Sequence, residues 1–273
     1  MRLALLITTH ERPEALAAVL DSVARQRVAP AEVIIADDGS GAATQEVIAA
    51  FTGRSAVPVR QVSQPHEGFR VARLRNLGIT AAIADFIVCI DGDMLLHPEF
   101  IADHQRLARP GYFTQGVRVH TDAELTRKLI AAPAALPSFR ATGLGGLRRL
   151  YLLHSPRLAS LARTPGNAVI SIKSCNQGYW FRDLVRVNGF NEAFEGWGPE
   201  DKELCARLEN SGVRRQTLLF GGIACHLHHA EASRSALPAN LALLADTHRQ
   251  RRVRCEHGLD AHLQRRVLDA QNG

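Results

Sequence analysis

The chain has 273 residues, of which 46% are hydrophobic and 22% charged, with a formal net charge of +6. These proportions exclude a collagen-like chain, a small disulfide-stapled scaffold and a wholly disordered chain. No apolar run reaches the roughly 18 residues of a spanning helix, and Leu3–Ile7 is shorter than the ~7–15 residues of a signal-peptide core, so a cytoplasmic protein is expected. The five cysteines lie far apart without a CxxC pair, which argues against a zinc knuckle or a thioredoxin-like motif.

Leu3–Thr8 has strand character, and Pro13 suits the first turn of a following helix. Leu16, Val19, Leu20 and Val23 then recur with the helical period. Glu32–Asp37 reads as a second strand, ended by the turn residues Asp37-Asp38-Gly39-Ser40. Thr44–Phe51 is expected to be a helix, Val57–Val62 a third strand and Phe69–Ile83 a helix. Asp85–Ile90 is a fourth strand ending at Asp91-Gly92-Asp93, and Pro98–Leu107 another helix. Prolines and glycines break residues 120–165 into short helices and loops. Ala168–Ile172, Gln177–Arg182 and Val213–Leu219 read as strands, Glu200–Asn210 as a helix with Gly212 just past its end, and Leu237–Gly258 as a basic helix. The alternation predicts an α/β fold with a mostly parallel sheet flanked by helices. Ligands of such sheets bind beyond the carboxyl ends of the strands, where Thr8–Arg12, Asp37–Ser40 and Asp91–Asp93 all fall.

The positive charge is uneven. From Leu125 to Arg182 there is no acidic residue against nine cations, while the remainder holds 24 cations and 27 anions. That segment would attract an anionic partner such as an acidic glycan or lipid; a solvated loop region would have the same composition. With few aromatics among the cations and no known binding module, no nucleic-acid partner is expected.

Four clusters carry chemistry. In extended backbone Asp91 and Asp93 would point to one side and converge on a hard cation such as Mg²⁺ or Mn²⁺, although a plain turn uses the same residues. Asp38 stands where a carboxylate can bind a ribose or a base. In Gly196-Trp197-Gly198-Pro199-Glu200-Asp201 an aromatic face sits on a glycine-flanked turn, suited to stacking on a sugar, and two carboxylates open a helix whose dipole favours their ionised form. Such a carboxylate can serve as a general base. His226-Leu227-His228-His229 offers imidazoles near a strand end, and His226 is the favoured metal ligand over His228 and His229.

Taken in order, Thr8–Pro13, Asp37–Ser40, Gly68–Ile79 and Asp91–Asp93 resemble an inverting family 2 glycosyltransferase of the GT-A type. Asn188–Glu203 resembles the C-terminal element of β-galactosyltransferases and chondroitin-type polymerases. The resemblance implies that Thr8, His10, Arg12, Asp38, Arg70, Asn76 and Asp91 bind the nucleotide and donor. It makes Asp93 and His226 ligands of Mn²⁺ or Mg²⁺, Trp197 and Glu200 sugar contacts, and Asp201 the catalytic base. Residues 1–118 would form the nucleotide-sugar half and 119–236 the acceptor and catalytic half of one domain, with 237–273 a basic extension. The expected reaction moves a hexose or N-acetylhexosamine from a UDP-sugar to a glycan or lipid-linked glycan in bacterial cell-surface polysaccharide or lipopolysaccharide synthesis, with peripheral contact to the inner face of the membrane. A nucleotidyltransferase and a non-catalytic polyanion-binding protein are the alternatives. The first lacks a glycine-rich phosphate loop and the second has no use for a base.

Overall fold

Leu3–Thr9 (β1) is buried along its whole length because the strand is covered on both faces. Leu3, Leu5 and Ile7 enter one core cluster and Ala4 and Leu6 the other, as the two-residue period of a strand requires. The computed structural model describes residues 1–132, 136–162, 164–165, 175–230 and 233–264.

The first half follows the sequence pattern. After β1 come Pro13–Ala24 (α1), Glu32–Asp37 (β2), Ala42–Arg54 (α2), Val59–Ser63 (β3), Val71–Ala81 (α3) and Phe86–Asp91 (β4). Met94–Leu96 (β5), Phe100–Leu107 (α4), Tyr112–Gln115 (β6), Val117–His120 (β7) and Ala123–Ala131 (α5) follow. Residues Gly146–Leu152 form a 3₁₀ helix, then come Pro156–Leu161 (α6), the two-residue strand Thr164–Pro165 (β8), Asn176–Trp180 (β9) and Phe181–Val187 (α7). Glu200–Asn210 (α8), Arg214–Thr217 (β10), Ile223–His226 (β11) and Leu237–Gln250 (α9) complete the order.

The main sheet has the order β3-β2-β1-β4-β9-β6-β10-β8, and a second sheet the order β5-β11-β7. β3-β2-β1-β4 and β6-β10 pair parallel; β9 runs antiparallel to both β4 and β6. Thr9 pairs with Asp37 and Thr8 with Asp91, so the carboxyl ends of β1, β2 and β4 lie level.

Several boundaries differ from the expectation. The third helix starts two residues late, at Val71, because Gly68 has φ +78° and Arg70 is non-helical. The strand expected over Gln177–Arg182 ends at Trp180, and Phe181 turns into α7. The last helix stops at Gln250, where Arg251 adopts a left-handed conformation at φ 49°. β6 and β7, four residues each, have no counterpart in the expectation, and the strand expected at Ala168–Ile172 lies outside the described residues. No helix among the described residues is long and apolar enough to cross a membrane.

Candidate functional site

The level ends of β1, β2 and β4 open into a cleft of about 950 Å³, within the range of small-molecule sites. Its lining includes Thr8, His10, Arg12, Asp38, Asp91, Asp93, Trp197, Glu200, Asp201 and His226, ten of the twelve residues the sequence singles out. The other two, Arg70 and Asn76, are not among its lining residues. Arg70 turns to Glu67 and the Pro65 carbonyl, both at 2.9 Å. Asn76 is fully buried and clamps the following loop, donating to Phe190 O and Glu192 Oε1 at 2.8 Å and accepting from Phe190 N at 2.9 Å.

At the carboxyl end of β2 the two aspartates of the second motif divide their work. Asp37 accepts from Ser40 and Gln45 and holds the turn. Asp38 faces the cleft, accepting from Gln64 Nε2 at 2.7 Å and pairing with His66 Nδ1 at 2.8 Å. His10 donates through Nδ1 to the Asp38 carbonyl at 2.8 Å and stacks on His66 with ring centroids 4.1 Å apart.

Asp91 and Asp93 do not converge on one point, contrary to the extended-backbone expectation. The chain turns between β4 and β5 at Gly92, whose N–H bonds Thr8 O at 2.7 Å. A Cβ there would meet Thr9 Oγ1 and Thr8 O at about 3 Å, so the tight approach needs glycine. Asp91 accepts from Thr8 Oγ1 at 3.0 Å and Arg75 Nη2 at 3.1 Å. Asp93 instead meets Arg12 Nη1 at 2.7 Å, His229 Nε2 at 3.3 Å and His226 Nε2 at 3.6 Å.

The Asp93 cluster fits a divalent cation. One potential ligand atom from each of Asp93, His226 and His229 lies within 4.8 Å of the others. His229 Nδ1 faces the Ala230 carbonyl at 2.6 Å and must donate to it. In the neutral ring, Nε2 then presents a lone pair to the Asp93 carboxylate. Two facing lone pairs need a proton or a metal ion between them, and a divalent cation meets that need. Asp93 Oδ1 is buried without a hydrogen bond in the same place. Burial, followed by repulsion from Asp91, pushes Asp93 up to about 6. Burial, with the Arg118 charge second, pushes His226 down to about 3, which keeps the imidazole neutral and able to ligate. His228 lines the cleft outside this trio, and its N–H bonds Thr126 Oγ1 at 2.8 Å.

Across the cleft stands the first turn of α8, which presents Glu200 and Asp201. Arg207, fully buried, pairs with Glu203 of the same helix at 2.8 Å and ties the helix to the Gly189 carbonyl at 2.8 Å. Glu200 meets Arg75 Nη1 at 2.7 Å. The pair is asymmetric: Arg75 faces two carboxylates and stays charged, whereas burial and the neighbouring Asp201 push Glu200 up to about 7 against the pull of the guanidinium. Asp201 Oδ1 accepts from Lys202 N at 2.7 Å, within the N-terminal field of the helix. The Trp197 turn is held by Asn240 of α9, whose Nδ2 donates to Glu195 O at 2.9 Å and Trp197 O at 3.3 Å. The Arg234 guanidinium lies 5.0 Å from the Trp197 ring centroid.

The sequence reading missed Arg75, His66, Arg118, His120 and Asn240. A signal for Arg75 was present: Ala72, Arg75, Asn76 and Ile79 follow the i, i+3, i+4, i+7 pattern, which puts Arg75 on the buried face and Arg73 off it. Arg118 and His120 alternate with the core residues Val117 and Val119 along β7, so both face the cleft.

A model described as glycosyl transferase family 2 matches residues 4–174, and one described as the N-terminal domain of galactosyltransferase matches residues 169–230, which include the Trp197–Asp201 element. The chain is 30% identical over 268 residues to validoxylamine A glucosyltransferase of Streptomyces hygroscopicus subsp. limoneus, covering 87% of this chain and 55% of the relative. It is 27% identical to chondroitin synthase of Escherichia coli, covering 82% and 34%. The chain thus spans about half the length of the first and about a third of the second. Its fold is similar to residues 1–349 of S. aureus TarS in complex with UDP, with a TM-score of 0.59 at 16% identity over 90% of this chain and 65% of that one. It is also similar to a mannosyltransferase from Pyrobaculum calidifontis in complex with GDP-Man and Mn²⁺, with a TM-score of 0.54 at 16% identity over 83% and 56%. The mixed, mostly parallel sheet with its flanking helices is of the GT-A type. With the family model spanning more than half of its residues, the chain belongs to glycosyl transferase family 2.

Proposed function

We propose that the chain transfers a hexose or N-acetylhexosamine from a UDP-sugar to a hydroxyl of a glycan acceptor, with inversion at the anomeric carbon. The observation that carries this reading is the opposition, across one cleft, of the Asp93–His226–His229 cluster and the Trp197–Asp201 turn. Asp38 and His10 would receive the base of the nucleotide, and Asp91, held by Thr8 and Arg75, the ribose and donor sugar. Asp93, His226 and His229 would hold Mn²⁺ or Mg²⁺, with Arg12 neutralising Asp93 in the absence of the ion. When bound, such an ion supplies Lewis-acid neutralisation of the charge that develops on the leaving diphosphate.

Trp197 offers its ring to the C–H face of a sugar, and Asn240 and Arg234 fix the ring's position. The acceptor oxygen forms a bond to the anomeric carbon while the bond from that carbon to the diphosphate oxygen breaks. Asp201 takes the hydroxyl proton in the same displacement. A single displacement needs one base and no enzyme nucleophile, which matches the Asp201 carboxylate at the start of α8. Glu200, tied to Arg75, would contact the acceptor sugar beside it. Surface polysaccharide or lipopolysaccharide synthesis is the proposed setting.

The test is UDP release across a panel of UDP-sugars with Mn²⁺. One preferred donor, with release abolished by chelator and by Asp201→Asn while UDP affinity is retained, is the expected result. Loss of UDP binding in Asp201→Asn would remove the base assignment, and absence of UDP binding in the unaltered protein would remove the whole reading.

A further inference from the structure

Ten large apolar side chains are exposed among the described residues, and five of them fall between positions 147 and 161. They are Leu147 at 82%, Leu150 at 46%, Leu153 at 39%, Leu158 at 47% and Leu161 at 82% exposure. Their spacing follows the local geometry. A 3₁₀ helix has three residues per turn, so side chains at i and i+3 eclipse. Leu147 and Leu150 lie in one row of the Gly146–Leu152 helix, and the bond from Leu153 N to Leu150 O at 3.1 Å carries Leu153 into the same register. The other rows are used differently. Tyr151 and Leu152 pack against the core, while Arg148 and Arg149 are exposed. In α6 the same division recurs, with Ala159 buried and Leu158, Leu161 and Arg157 in solvent. Among the described residues none of Arg148, Arg149 and Arg157 has an acidic partner, in keeping with the absence of Asp and Glu from 125 to 182.

A leucine row flanked by unpaired arginines matches the interface of an anionic bilayer, where apolar side chains enter the headgroup boundary and cations meet lipid phosphate. We propose that residues 147–161 dock this protein on an anionic phospholipid surface. Charge complementarity alone would also suit a soluble polyanion, but such a partner has no use for five exposed leucines. The element is firmly seated: Ser155 N bonds Phe220 O at 2.9 Å, and His154 Nε2 reaches the buried Asp103 at 3.0 Å. The 3₁₀ helix packs against β7 and β11, the strands that end at His120 and His226 in the cleft. A protein docked through it would hold its cleft close to the lipid surface. The inference goes beyond the transfer reaction and is measurable without it.

The experiment is co-sedimentation of the full chain with vesicles of phosphatidylcholine alone and of phosphatidylcholine with phosphatidylglycerol. Binding is expected to the anionic vesicles only. The double variant Leu147→Ser/Leu161→Ser should lower the partition about tenfold or more at unchanged charge. Arg148→Gln/Arg149→Gln should lower it by a similar factor, about fivefold per charge. UDP affinity in both variants should match the parent, which separates loss of docking from loss of fold. Leu150→Trp supplies a second readout, a blue shift of its emission on adding anionic vesicles. No sedimentation with anionic vesicles would overturn the proposal. So would binding that survives the leucine substitutions and is displaced by a soluble polyanion, which would assign the segment to an acidic glycan instead.

Discussion

With Arg75 replaced by Gln, Asp91 and Glu200 lose the cation they share at 3.1 and 2.7 Å, and Glu200 is left buried without it. Breaking a buried pair in this way costs about 3 kcal/mol or more, because the partner's charge stays behind. The cost depends on pH with a definite sign. Glu200 is already raised from its ordinary 4.5 to about 7, so its stabilising protonation is complete below about 4.5 and is lost as pH rises through about 7. Without Arg75 it rises further. Urea unfolding should therefore show a larger loss for Arg75→Gln at about pH 8 than at about pH 6. Glu200→Gln should flatten the parent's decline in stability between those values; an equal slope in both proteins would contradict the assignment. The proposed metal ligands make a second prediction at this scale. His226→Ala and His229→Ala should each weaken Mn²⁺-dependent UDP binding on the order of tenfold or more, and His228→Ala should not. Titration calorimetry of UDP with and without Mn²⁺ distinguishes the three. The sequence favours His226 within this histidine run but carries no sign of His229, whose part rests on its Nδ1 being taken by the Ala230 carbonyl.

Among the elements, α9 has a task that its composition hides. A basic helix outside the motifs reads as an appendage, yet its buried Asn240 sets the height of the Trp197 turn from 43 residues away. The turn is built to receive it: a Cβ on Gly198 would lie 2.3 Å from Asn240 Nδ2 and 2.7 Å from its Cβ. Gly198→Ala and Asn240→Ala should each lower transfer about tenfold or more, with UDP affinity unchanged. Because both act on one contact, the double variant should lose little more than the worse single one. Full additivity in kcat/KM would place them in separate roles. The strands β1, β2 and β4 and the helices α1 and α8 were legible because apolar periodicity and turn chemistry agree there. β6 and β7 were not, because four-residue strands such as Tyr112–Gln115 offer too few residues to establish a period. Their partners, β9, β10 and β11, lie 60 or more residues further on, so the pairing that stabilises them leaves no local trace.

For the molecule as a whole, the sheet order explains why the two sides of the cleft depend on each other. β9 joins the parallel half β3-β2-β1-β4 to β6 and β10, and the chain then returns through α7, α8 and the C-terminal segment to cover the face beneath Asp91. That segment belongs to the core: Leu259 is fully buried in the same cluster as Phe190, Leu204 and Leu208, and Asn188 bonds Leu259 N, Asp260 N and Cys255 O. His262 closes on Glu192, which in turn accepts from Asn76. A chain ended after Gln250 would lose Cys255, Leu259 and this clamp together. Burial of one leucine and its neighbours is worth about 3 kcal/mol, a large share of the 5–15 kcal/mol typical of a domain. The truncated protein should therefore unfold at markedly lower urea and lose UDP binding with it, because the segment completes the core beneath Asp91. Retention of the parent's unfolding midpoint would make the C-terminal segment a detachable extension. Leu259→Ala, which keeps the backbone and removes only the buried side chain, should reproduce most of the stability loss while leaving UDP affinity intact at low denaturant.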